Sequence, residues 1–561
     1  MRLSPSLRWL VAFVCTLASR SSAADPSAII ELPQYVVTDR RELPPAEPWR
    51  YSRLGSIEVI SSVSKRTTEH LLRDFQQFRQ ALDLVWPDAQ RSANRLDTLI
   101  VCDQPARFRV FAPDDLAAAG KVTLVLRSPD RAMLVFDLGT KVIAPGLVPD
   151  AGGYDTSEPV VSGRLGDSYR QLYRAYLRLI VSSARPRPPA WYEEGVAQLL
   201  MAMRTTSRDV VVGQLDRSDE IFEVDGRPAP LQDLDFNAVL SRSRVIPFGE
   251  FLAVDHDAPE ANNATGSVWA KQAYAFVHWG LYGDLGKHQK AFVTFIARLA
   301  REPLSEDLFK RTFGQSYREM TLTLVVYARS TNYRIAGVEA EKGTKLPSVG
   351  PVEVRDATEA EASRIRGEAL FLAGKPALAH ETMSLPFRRG DRDPDLVAAL
   401  GLLQVDRGET ATARSLLELA ASARTTRTRA LIELAKLRLA EARAKPAAAP
   451  DRFNPAQVAA VLQPLFAARQ QSGRTPELYE TIAAAWENSA ATPEPGHLAV
   501  LDEAATLFPR NTDLIHRIAA LKLGIGQTGD AAALIDLGLR HAVDAEARTR
   551  LVALKSQLPP P

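Results

Sequence analysis

The spacing of apolar and polar positions changes period along the chain. Around Ser56-Ile-Glu-Val-Ile60 the two kinds alternate, which predicts a strand. From about Thr67 to Val85, the residues Leu71, Leu72, Phe75, Phe78, Leu82 and Val85 form one apolar stripe at helical spacing. Leu99–Val101, Val122–Leu126 and Ala132–Phe136 are short apolar runs that predict further strands. From Asp167 the period turns helical. One helix is expected to reach Ser183, with Tyr169, Leu172, Tyr173, Tyr176, Leu177 and Ile180 as its buried stripe. A second begins after Pro188-Pro189, and Val268–Tyr282, Lys290–Arg301 and Tyr317–Ser330 suggest others. Between Ile335 and Asp356, Gly337, Gly343, Pro347, Gly350 and Pro351 predict an interdomain linker. Beyond it Ala, Leu, Arg and Glu dominate, with little strand signal.

That last region repeats itself. Gly367 and Gly401 stand 34 residues apart, as do Gly374 and Gly408, and Ala379 and Ala413. Leu400, Gly401, Gly408, Ala413, Leu417 and Ala420 resemble the small and apolar positions of a tetratricopeptide repeat. Gln404 departs from the pattern, standing where that family usually has an aromatic residue. Ala504 with Pro509 matches the end of another copy, while Ala444-Lys-Pro-Ala-Ala-Ala-Pro450 interrupts the series. Small residues let paired helices approach, and such a unit must stack on neighbours to bury its face. The resemblance implies a protein or peptide partner.

Composition narrows the class. The 561 residues are 46% hydrophobic and 24% charged, the balance of a soluble globular protein with two or three domains. Arg2 and Arg8, the apolar run Trp9–Ala18 and the small residues Ser21-Ser-Ala23 read as an export signal cut before Ala24. No later segment approaches a membrane span. Removing the signal takes away Arg2, Arg8 and Arg20, leaving 66 basic against 67 acidic residues. That balance excludes a nucleic-acid binder. Cys15 leaves with the signal, so Cys102 is alone and forms no internal disulfide. The expected location is periplasmic or extracellular.

One short segment carries chemistry. Pro189-Ala-Trp191-Tyr-Glu-Glu194-Gly195-Val-Ala197 resembles the W-x-x-E-G-x-A segment of gluzincin-type, peptidase MA-like zinc metallopeptidases. In that family the Glu before Gly is the third zinc ligand. A helix about twenty residues upstream carries H-E-x-x-H, with two His ligands and a Glu that activates water. Here the corresponding helix reads Ser168-Tyr169-Arg170-Gln171-Leu172-Tyr173-Arg174. In the register chosen, Tyr169 and Tyr173 take the two His positions and Arg170 takes that of the base. A neutral phenol is a poor zinc ligand, and Arg170 puts a fixed positive charge where a dication would sit. Glu194 is then the only retained ligand position. No catalytic or metal residue is expected, and no cofactor. Glu194 still needs a partner, and Arg170 or a hydroxyl of Tyr169 or Tyr173 is expected to supply it.

The other motifs carry less. Gly524-Ile-Gly526-Gln-Thr-Gly529 lies between helical segments and reads as a turn rather than a dinucleotide loop. Ser62-Val-Ser-Lys65 lacks the partner motifs of acyl-transfer enzymes, and Asp255-His-Asp257 with Glu260 reads as a solvated loop. His278 on its apolar helix reads as a core group.

The expected fold is an α+β metallopeptidase-like domain, a small sheet plus helices, followed by an all-α helical-repeat domain. The expected division is a signal at 1–23, an extended lead-in at 24–50, the degenerate domain at 51–333, a linker at 334–358 and repeats at 359–558. The function these features imply is an exported, non-catalytic protein that binds or scaffolds a protein, peptide or envelope component. Two alternatives stand beside it: an active zinc metallohydrolase with atypical ligands, and a purely structural interaction protein. Oligomeric state is left open.

Overall fold

A computed structural model describes residues 48–559, apart from 88–95, 115–120, 129–130, 140–164, 185, 216–222, 225–226, 229–235, 241–242, 263–266, 330–332, 343–344, 449–450 and 472–473. The expected export signal and nearly all of the expected lead-in lie outside the described residues. The chain divides into two compact units, one ending at Ala379 and the other beginning at His380.

The first unit opens with strands β1 (Arg50–Leu54) and β2 (Ile57–Ser61), helix α1 (Lys65–Val85), β3 (Thr98–Cys102), the short α2 (Pro105–Arg109), β4 (Thr123–Arg127) and β5 (Ala132–Asp137). With β11 (Arg355–Asp356) these make a six-stranded sheet in the order β11-β1-β2-β3-β5-β4. β2, β3 and β5 run parallel, with Val59 beside Leu99 and Leu99 beside Leu134. The β3 run Thr98-Leu-Ile-Val-Cys102 is buried throughout, as a parallel strand covered on both faces requires. Cys102 is filler there, and burial pushes its thiol pKa far up. Ser64 caps α1 by accepting from Thr67 N, and Leu71, Leu72, Phe75, Phe78 and Leu82 enter the core with Val59, Leu99 and Leu134.

Helices α3 (Leu165–Val181) and α4 (Ala190–Met201) follow, then β6 (Arg204–Thr205), β7 (Asp209–Val212) and the hairpin β8 (Glu223–Val224) and β9 (Arg227–Pro228). Among the described residues the α-helices that succeed them are α5 (Phe236–Leu240), α6 (Phe248–Leu252), α7 (Pro259–Asn262), α8 (Val268–Tyr282), α9 (Gln289–Leu299), α10 (Glu306–Phe313) and α11 (Tyr317–Tyr327). Strands therefore extend past Asp167, contrary to the expectation that they end before it.

Two segments of the expected linker are strands. β10 (Ala336–Glu339) pairs with β7, and β11 pairs with β1, so the stretch 334–358 belongs to the first unit. Gly337 is there for closeness rather than flexibility, since a Cβ would lie 2.6 Å from Val210 O. Helix α12 (Glu359–Leu372) begins with a capping box of Thr358 and Glu361. Its buried Arg364 donates to both oxygens of Glu58 on β2, at 2.6 and 3.1 Å, and its Glu368 accepts from Arg131.

The remaining chain is helical: α13 (Pro376–Arg388), α14 (Pro394–Asp406), α15 (Thr410–Ser422), α16 (Thr428–Ala444), α17 (Pro455–Arg469), α18 (Pro476–Glu487), α19 (Pro495–Leu507), α20 (Thr512–Gly524), α21 (Thr528–His541) and α22 (Ala545–Lys555). α14 packs on α15, α16 on α17 and α20 on α21, the layering of a helical-repeat array. Gly374, Gly408 and Gly526 hold φ near +80° at turns between helices, so the G-x-G-x-x-G segment is a turn. Gly401 approaches Leu417 so closely that a Cβ would meet its side chain at 2.8 Å. Ala379 and Ala413 are each fully buried.

Candidate functional site

α3 and α4 pack against each other, and α3 also touches β4, α1 and β5. The tyrosine face turns to α1. Tyr173 stacks on Phe78 at 4.1 Å between ring centroids, Tyr176 meets Phe75 edge-on at 5.1 Å, and Arg79 donates to the Tyr176 hydroxyl. The buried Tyr169 hydroxyl has no hydrogen-bond partner among the described residues. Burial pushes both the Tyr169 and the Tyr173 phenol pKa above the ordinary value, with the Asp74 charge adding to it.

The arginine face turns to α4. Arg174 donates from Nε and Nη2 to the two oxygens of Glu194, each at 2.7 Å. Gln198 Nε2 donates to Glu194 Oε1 at 2.9 Å, and Arg178 Nη1 lies 3.7 Å from Oε2. Glu194 is wholly buried. Burial alone would raise its pKa, but the Arg174 and Arg178 charges and the two sets of hydrogen bonds outweigh that and hold it below the ordinary value. The neighbouring Glu193 accepts from Arg178 Nε at 3.2 Å and Arg187 Nη2 at 2.9 Å. His256 joins this network, 3.6 Å from Glu193 and 3.0 Å from Pro188 O, so the loop at Asp255–Asp257 is not merely solvated.

The expected partner of Glu194 is thus corrected. Neither Arg170 nor a hydroxyl of Tyr169 or Tyr173 meets it; Arg174 does. Residues four apart share a helix face, so Arg170, Arg174 and Arg178 form one stripe and Tyr169, Tyr173 and Tyr176 another. The tyrosines carry the large apolar bodies and are buried against α1. That rotation leaves the arginines for the carboxylates.

Two motif residues have structural reasons. Trp191 is fully buried among Phe276, Phe251 and Phe295. Gly195 lets α4 touch α8: a Cβ would lie 2.4 Å from Ala273 O. His278 is a satisfied core group, its ring nitrogens 2.7 Å from the Tyr327 hydroxyl and 2.9 Å from Gly213 O. Ser62 is engaged with Asp103 at 2.6 Å, while Lys65 lies 3.9 Å from Glu69.

These donors do not fit zinc. α3 has no histidine, and the lone pairs of Glu194 that a dication would need are already taken by a guanidinium. The arrangement joins two helices by a buried, bidentate, charge-assisted pair. Among the described residues no helix is long and apolar enough to cross a membrane.

No family model matches the chain, and no curated protein is similar to it in sequence. Solved structures resemble it over about a third of its length. A thermophilic TPR protein of Thermus thermophilus is 17% identical, with 36% of this chain and 100% of that one covered and a TM-score of 0.25. Residues 1–338 of the assembly chaperone of RpL4 (Acl4) are 15% identical, with 36% and 85% covered and a TM-score of 0.26.

Proposed function

We propose that this is an exported binding protein, in which a metallopeptidase-like domain has exchanged its metal for an arginine clamp and a helical-repeat array takes a protein or peptide partner. One observation carries the first half: both oxygens of Glu194 are held by Arg174, twenty residues upstream. In this register the positions of H-E-x-x-H fall on Arg170, Gln171 and Arg174. Two fixed cations replace the imidazoles, and an amide that cannot accept a proton near neutral pH replaces the base. The clamp does what a structural metal would do for the two helices. The second half is supported by the array itself, whose stacked helix pairs offer the extended surfaces that such folds use for binding.

Calorimetric titration with zinc tests the clamp. The parent should show no stoichiometric binding, and the variant Arg170→His, Gln171→Glu, Arg174→His should gain it. One tightly bound zinc per parent chain would overturn the reading.

A further inference from the structure

A cavity of about 340 Å³ opens beside the connection between α3 and α4. Trp86, Ile180, Tyr192, Ile296 and Leu299 give it large apolar walls. Pro186, Pro188 and Pro189 close one side with rings that offer no backbone N–H. Arg187 is the one charged side chain among the described lining residues, and it is 43% exposed. Its Nε and Nη2 are spent on Glu193, whereas Nη1 donates to nothing among the described residues. The wider network is short of negative charge. Among the described residues, Arg174, Arg178 and Arg187 pair with no carboxylate but Glu193 and Glu194, and Lys121 lies close enough for the Arg178 charge, after burial, to lower its pKa. The pocket is thus large enough for a small ligand, predominantly apolar, and carries one half-exposed cationic edge that no described protein group engages.

We propose that this cavity binds a molecule with an apolar body ending in a single carboxylate, the body between Trp86 and Tyr192 and the carboxylate on Arg187 Nη1. A peptide with an apolar C-terminal residue and a medium-chain fatty acid share this chemistry. The site rests on the cavity and its charges alone, so zinc binding by the parent would leave it standing.

The test is calorimetry on the full chain with two matched pairs: N-acetyl-Ala-Phe against its C-terminal amide, and octanoate against octanol. At least one acid should bind roughly tenfold or more tightly than its neutral counterpart, the discrimination expected of a charge-assisted contact, and the pair that does so identifies the source. Arg187→Gln should erase the discrimination. Ala297→Trp, at an exposed lining position on α9, fills the pocket without touching the charge network and should abolish binding. If neither acid outdoes its counterpart, or if Ala297→Trp binds as the parent does, the assignment is wrong.

Discussion

Arg174→Met removes the clamp while keeping most of the side-chain bulk. It leaves the wholly buried Glu194 with only Gln198 at 2.9 Å and Arg178 at 3.7 Å. Breaking one side of a buried pair costs roughly 3–5 kcal/mol, because a desolvated charge is left behind. Arg178 stays nearby and compensates in part, so a loss of about 3 kcal/mol is expected near neutral pH. Urea unfolding followed by tryptophan fluorescence measures it. Trp49, Trp86, Trp191, Trp269 and Trp279 lie in the first unit, against Trp486 in the second. Adding Glu194→Gln should recover most of the loss, since the pair contributes little net stability once both charges are gone. The pH dependence separates this from a packing effect. In the parent the Glu194 pKa is held low, so its stabilisation is full above about pH 4.5 and is lost as pH falls through the folded value. Without Arg174, burial dominates and raises that pKa, so protonation relieves the variant and its deficit narrows on acidification. A loss below about 1 kcal/mol, or a double variant no better than the single one, would refute the clamp.

Leu177 is fully buried on α3, and Leu177→Ala should cost roughly 2–5 kcal/mol in the same assay. Ala413 is fully buried on α15, so Ala413→Leu should overpack its site by roughly 1–3 kcal/mol, read as a lower melting temperature. Burial lowers the His278 pKa to about 4, so the parent should lose up to about 3 kcal/mol as pH falls from about 6.5 towards 4, the unfolded chain taking the proton first. His278→Gln should flatten that part of a urea-midpoint profile against pH.

The apolar stripe of α1 located that helix because one face of it is buried, and β3, β5 and α8 were legible as apolar runs because they are buried almost throughout. α1, β3, β5 and α8 lie within two residues of their expected bounds. The 34-residue spacing of Gly374 and Gly408 has a local cause that a sequence can carry, a positive φ at each interhelix turn. The region around Gly337 misled, because glycine serves both open linkers and tight strand contacts, and only the partner at Val210 distinguishes them. The site was half legible. Glu194 and its need for a partner were visible, but the choice between the tyrosine and arginine stripes of α3 depends on which neighbour covers each face. That turns on α1, whose Phe75 and Phe78 meet the tyrosines and have no sequence relation to α4. The network through Arg187 and His256 left no spacing signal, since its members come from separate loops.

The pairing of β11 with β1, and of Arg364 with Glu58, sets a timetable for synthesis. Glu58 leaves the ribosome 306 residues before Arg364 does. At roughly 5–20 residues per second, that is an interval of about 15 to 60 s. Throughout it β1 has a free edge and Glu58 lacks its guanidinium partner from α12. A nascent chain halted between β10 and β11 therefore displays an unpaired strand, a template for association with other chains. The last strand of the sheet is made directly before α12, which then supplies Arg364 to Glu58, so a fragment meant to hold both the whole sheet and that ion pair has to run through α12.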